Sequence, residues 1–203
     1  MKRRTLLKGL GSVTVLVMGG GVWRAYDQGV FSAGEGPAYE AWKDWRKEST
    51  GPLGLVSAAI LAANPHNTQP WLFKVTDSQI DLFADNDRNL GTMDVFLREM
   101  AIGLGCAVEN MLLAADAEGY EYRLELKQRL LRKPLPDPEP ELAATLYLLG
   151  KDSPNISKLH EAIPLRHTDR ASYDKERTIP AEKLETMLAL NNNTSELKCF
   201  LFT

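Results

Sequence analysis

Apolar positions along the chain fall into alternating helical and strand-like periods. From Pro37 to Glu48 the aromatics Tyr39, Trp42 and Trp45 recur at three-residue spacing with charges between them, which predicts an amphipathic helix broken by Gly51-Pro52. The run LGLVSAAILAAN is almost wholly apolar and predicts a buried helix ending at Asn64-Pro65, where proline disfavours further helix. WLFKVT and QIDLFA then predict a hairpin around a short Asp77-Ser78 turn. Asp94 to Ala117 is the longest helical stretch. After Asp94 its only charges before the last turn are Arg98, Glu99 and Glu109, so most of its circumference should be covered by protein, and Gly103, Gly105, Cys106 and Ala107 should admit a close neighbour. Gly119 suits a helix stop, and YEYRLELKQRLL alternates as a half-buried strand with Tyr120, Tyr122, Leu124 and Leu126 in one register. PLPDPEPE is an acidic, proline-rich connector, a linker or a flap, and LAATLYLLG after it is a strand or a short helix. Past Lys151 the pattern restarts with a short helix near Ile156 to Ala162, the segment PLRHTDRASYD, a helix from about Pro180 to Leu190 and a strand from about Leu197. The apolar ending CFLFT looks like the interruption of a longer domain.

Two segments could carry chemistry. In AANPHNTQPWLF, between the second helix and the hairpin, Asn67 and Gln69 each offer an amide donor and acceptor, as the edge of a pyrimidine-like ring demands. Their i, i+2 spacing would aim both the same way from extended backbone. The alternative is that they cap the helix end and satisfy the turn. In RHTDR, Arg166, Thr168 and Arg170 alternate, so an extended segment would project two guanidiniums and a hydroxyl on one side as a phosphate clamp. The alternatives there are an exposed charged strand or an arginine-aspartate surface network through Asp169 and Asp174.

Composition narrows the classes. A chain of 203 residues with 44% hydrophobic and 25% charged residues is that of an ordinary soluble globular protein. The net charge of -3 gives no reason to expect nucleic acid, so any anionic ligand must find its positive charge locally. Cys106 and Cys199 are too few and too far apart for a disulfide framework, and His66, His160 and His167 lack zinc-site spacing, so no metal is expected. Lys2, Arg3, Arg4 and Lys8 precede an uncharged, mostly apolar stretch from Gly9 to Trp23, which makes residues 1–30 an export signal or an uncleaved N-terminal membrane anchor. KRRTLLK resembles the twin-arginine export motif, which implies a periplasmic or outer-face location and a cofactor loaded before export.

Together the two segments resemble the nitroreductase family of FMN enzymes. ANPHNTQPWLF is similar to the family's Pro-Ser-x-x-Asn-x-Gln-Pro-Trp loop at Pro65, Asn67, Gln69, Pro70 and Trp71, and RHTDRASYD is similar to its arginine-rich phosphate motif at Arg166, Thr168 and Arg170. IPAEKLETMLAL resembles the helix that follows that motif. The closer resemblance is to the exported, Acg-type branch, in which two nitroreductase-like halves are fused. It implies a first half over 37–150 and the start of a second, incomplete half over 151–203. The implied fold is α+β, a central, mostly antiparallel sheet packed against helices that include a long buried one.

The implied cofactor is FMN, with NAD(P)H as donor and a nitroaromatic, quinone or similar acceptor. Arg166, Thr168 and Arg170 would hold the phosphate, Asn67 and Gln69 would bond the isoalloxazine edge or ribityl chain, and Pro65 and Trp71 would shape the loop. His66 stands where the family has a serine pair, in a shortened loop, and is a further candidate contact. No residue of the chain is assigned as a general acid or base. The first half has a loop without arginines and the second has arginines without a loop, which implies one flavin site between halves, completed by another chain or a missing half. The competing expectations are a flavin-sequestering protein without enzymatic activity and an inactive truncated product.

Overall fold

The computed structural model describes residues 20–32, 35–36, 39–45, 50–127 and 139–190. It divides into two compact units, the first ending at Arg166 and the second running from His167. Residues 1–19, residues 128–138, which include 134–138 of the proline-rich connector, and the strand expected near Leu197 lie outside the described residues.

The first unit is α+β. Its sheet contains β1 (Trp71–Val75), β2 (Gln79–Ala84), β3 (Tyr120–Leu126) and β4 (Glu141–Lys151) in the order β1-β2-β4-β3, with every pairing antiparallel. The β1–β2 hairpin turns where the sequence pattern places it, and Thr76 closes it by donating its amide to the Gln79 carbonyl at 2.8 Å. LAATLYLLG is strand, the central β4. Alternation sorts the two faces of the sheet. Ile80, Leu82 and Ala84 of β2 join Ala144, Leu146 and Leu148 of β4 in the core, whereas Asp81 takes hydrogen bonds from Gln79 Nε2 at 2.7 Å and Thr145 Oγ1 at 2.8 Å.

Three of the unit's helices are α1 (Glu40–Asp44), α2 (Pro52–Ala59) and α3 (Arg98–Ala117), and α4 (Lys158–Ala162) is a fourth. α2 packs along α3, which also meets β3 and α4. Met100, Leu104, Ala107 and Met111 of α3 are 0–3% exposed, and Leu55, Ala58 and Ala59 of α2 face them in the same core. The coverage expected of α3 is one-sided: Arg98, Ile102, Gly105 and Glu109 form an exposed stripe at helical spacing, and nothing stands within 4 Å of a Cβ built at Gly105. Gly103, in contrast, has the close neighbour predicted for it.

Helix ends differ from expectation for identifiable reasons. α3 begins at Arg98 rather than Asp94 because Leu97 turns left-handed, with φ 56°, and the buried Asp94 carboxylate reaches forward to accept the Met100 amide at 3.0 Å. α2 stops at Ala59, not Asn64, as its last amides tighten to i, i+3 bonds from Leu61 to Ala58 and from Ala62 to Ala59. The α3 C-terminus meets Gly119 as predicted: φ is +74°, and a Cβ there would fall 2.3 Å from the Asp152 carbonyl oxygen. In the second unit the chain from His167 to Pro180 is irregular, and α5 (Ala181–Ala189) follows, the helix expected from Pro180 to Leu190.

Candidate functional site

The segment from Asn64 to Pro70 hands α2 over to β1, and it does so in a left-handed coil. Pro65–Asn67 is a single 3-10 turn in which His66 and Asn67 have φ 49° and 56°, and Gln69 follows at φ 50°. Each non-glycine residue in this region costs of the order of 1 kcal/mol, with asparagine the best tolerated, so surrounding structure must hold the loop. The extended backbone expected at Asn67 and Gln69 is therefore corrected. The chain must change from helix to strand within a few residues, and coiling lets it bond to itself on the way.

Those bonds are made by other residues. Asn64 Oδ1 accepts the Gln69 amide at 2.8 Å, and the amide and hydroxyl of Thr68 both donate to the Pro65 carbonyl at 3.0 Å. From outside, Arg88 Nη1 donates to the Thr68 carbonyl at 3.1 Å while its Nε pairs with Asp85 at 3.2 Å. Capping and turn closure thus fall to Asn64 and Thr68. Asn67 and Gln69 are exposed, and among the described residues neither amide side chain has a hydrogen-bond partner; exposed His66 has none either. Two amides with free donors and acceptors on a braced loop can recognise a planar polar edge. The flanking prolines and tryptophan anchor it: Pro65 packs against Gly103 of α3, Pro70 is fully buried with its carbonyl accepting the Asp85 amide at 3.1 Å, and Trp71 lies in the core.

Of the arginine segment, Arg166 belongs to the first unit. Its Nη2 donates to the Leu61 carbonyl at 3.3 Å and its guanidinium lies 5.4 Å from the Trp42 ring centroid. These contacts brace the start of the arginine segment on the end of α2. Thr168 and Arg170 are in the second unit, both exposed. The Asp169 and Asp174 carboxylates accept the amides of Ala171 at 2.8 Å and Glu176 at 3.0 Å, and among the described residues Arg170 forms no ion pair. The surface network that competed with the phosphate reading is absent there.

Sequence reasoning missed Asn64 and Arg88, which build the loop. Asn64 had a signal in its place just before Pro65, but Arg88 had none, since its contact crosses 20 residues of chain. A cleft of about 490 Å³ lies elsewhere, lined by Trp45, Glu118, Lys151, His160 and neighbours. Ala114, on its wall, is roughly 16 Å along α3 from Gly103 at 1.5 Å per residue, so the cleft is separate from the loop. No group of three or more metal-ligating side chains occurs among the described residues.

No family model matches the chain. It is 30% identical over 122 residues to "Putative NAD(P)H nitroreductase Rv3131" of Mycobacterium tuberculosis, covering 59% of this chain and 33% of that protein. It is 31% identical over 119 residues to "Putative NAD(P)H nitroreductase acg" of the same organism, covering 58% of this chain and 34% of that protein. The chain spans about a third of the length of these curated relatives. Among solved structures, a "putative nitroreductase in complex with FMN" from Desulfovibrio desulfuricans is 20% identical, with TM-score 0.38 over 68% of this chain and 99% of that one. At that TM-score the likeness carries nothing over to this chain. Over the 59% of its length that aligns, the chain is similar to proteins named as NAD(P)H nitroreductases, the acg protein among them.

Proposed function

We propose that this chain is an FMN-binding oxidoreductase of the nitroreductase type, taking electrons from NAD(P)H and delivering them to a nitroaromatic, quinone or similar acceptor. The observation that carries the reading is the braced left-handed loop, which presents Asn67 and Gln69 with unused amide donors and acceptors. Relatives named for NAD(P)H nitroreduction over three fifths of the chain support it. Bound FMN would supply the electron-transfer chemistry.

The chain's own residues supply binding and orientation. Asn67 and Gln69 would hydrogen-bond the isoalloxazine edge or ribityl chain, with His66 beside them, while Pro65 and Trp71 hold the loop's ends. Arg166, Thr168 and Arg170 would meet phosphate through charge-assisted bonds, the geometry guanidinium favours. The donor set fits the group: neutral amides for a ring edge, cations for a phosphate. No side chain is assigned as acid or base. The two-half organisation, 37–150 and 151–203, belongs to the same proposal. So does export, carried by the basic head Lys2, Arg3, Arg4 and Lys8 before an apolar stretch.

Oxidation of NADH or NADPH by the purified chain with FMN and a quinone tests the reading. Turnover above the rate of free FMN is expected. FMN binding with no such turnover would leave a sequestering protein, and no FMN binding at all would leave an inactive one.

A further inference from the structure

Asn64 stands immediately before the loop and ties it across five residues, Oδ1 to the Gln69 amide at 2.8 Å and Nδ2 to the Ala62 carbonyl at 3.3 Å. Its back rests on α3 at Gly103, a point where that helix has no side chain. A Cβ built on Gly103 would lie 3.2 Å from Pro65 Cδ, 3.3 Å from Asn64 Cβ and 3.4 Å from Asn64 Cα, tighter than ordinary packing. Gly103 is in mid-helix, where glycine is the poorer choice on propensity, so what it provides is room.

The loop's own chemistry needs such a support. Gln69 is exposed and left-handed, and the amide it donates to Asn64 is the bond that closes the coil over it. Releasing that amide would let Gln69 relax toward negative φ and swing its side chain away. We propose that Asn64 and Gly103 form a seat that sets the loop in its left-handed form before any ligand arrives, making Asn64 a positioning residue for the amides of Asn67 and Gln69. The consequence for ligand affinity rests on the FMN reading; the seat itself does not.

Amide hydrogen exchange at Gln69, measured on the full chain without flavin, reads the seat directly, and fluorescence titration with FMN reads its consequence. Asn64→Ala removes the acceptor and should speed Gln69 exchange roughly two- to thirteenfold, the range for losing one net hydrogen bond, and weaken FMN by a similar factor. Asn64→Asp keeps an oxygen acceptor and should restore slow exchange. Gly103→Ala should weaken FMN while the thermal midpoint holds or rises, because alanine is the better helix former and only the loop is displaced. A purely structural role would move the midpoint and the affinity together. Gln69 exchange unchanged in Asn64→Ala would overturn the seat, as would FMN affinity unchanged in both Asn64→Ala and Gly103→Ala. A wild-type chain that binds no FMN would overturn the flavin reading instead, and Gln69 exchange would then decide the seat alone.

Discussion

Asn67 is the residue on which local strain and proposed chemistry meet, since its left-handed backbone is braced by neighbours and its side chain is left unused. Asn67→Ala breaks none of the loop's own bonds but puts alanine at a left-handed φ, so stability should fall by up to about 1 kcal/mol while the absorption bands of bound FMN shift and affinity falls. Identical bands and affinity would return the residue to an ordinary loop role. Arg170→Ala removes a cation that forms no ion pair among the described residues, so its loss should weaken FMN by about ten- to a hundredfold, the range for a charge-assisted contact, with little effect on folding. Unchanged FMN affinity in fluorescence titration would count against the clamp. A third residue reports on pH. Burial, with the Asp116 carboxylate beside it, raises the Tyr122 phenol above its ordinary 10.0. The folded state then holds its proton more tightly than the unfolded state, so the associated stability is intact below pH 10 and drains as pH rises through the folded value. The thermal midpoint of the wild type should fall more steeply above pH 10 than that of Tyr122→Phe, and parallel curves would refute the assignment. Types and spacing of the binding candidates were legible in the sequence, but the left-handed backbone of Asn67 and Gln69 was not, because it depends on Asn64, Arg88 and Gly103 acting together.

At the scale of elements, the sheet is the rigid member and the helix termini are where distant chain intervenes. β4 is central, and Leu146 is 0% exposed between Ile80 and Leu124 in register. Leu146→Ala should cost about 2–5 kcal/mol in chemical denaturation, by lost burial plus the cavity left behind. A loss under about 1 kcal/mol would mean the core collapses to fill it. The β1–β2 hairpin was legible because alternation and an Asp-Ser turn are local signals. The end of α2 and the start of α3 were not, for Leu61 is held by Arg166 across 105 residues and the start of α3 is set by a left-handed Leu97. The exposed stripe of α3 was equally hidden, since an apolar helix looks the same in sequence whether one face or all of it is covered.

For the molecule as a whole, the first unit is built around α3 and the sheet, and the loop at its α2–β1 corner is the feature its packing supports most elaborately. The relatives share the name NAD(P)H nitroreductase, and the aligned part of each is about a third of its length, so activity is a property to be measured on this chain itself. The most direct measurement is the visible absorption spectrum of the purified full chain supplied with FMN, before and after NADH or NADPH under anaerobic conditions. Flavin bands should co-elute with the protein and bleach on adding the nicotinamide faster than those of free FMN. Bands that elute apart from the protein, or that persist unchanged with both nicotinamides, would contradict the FMN reading.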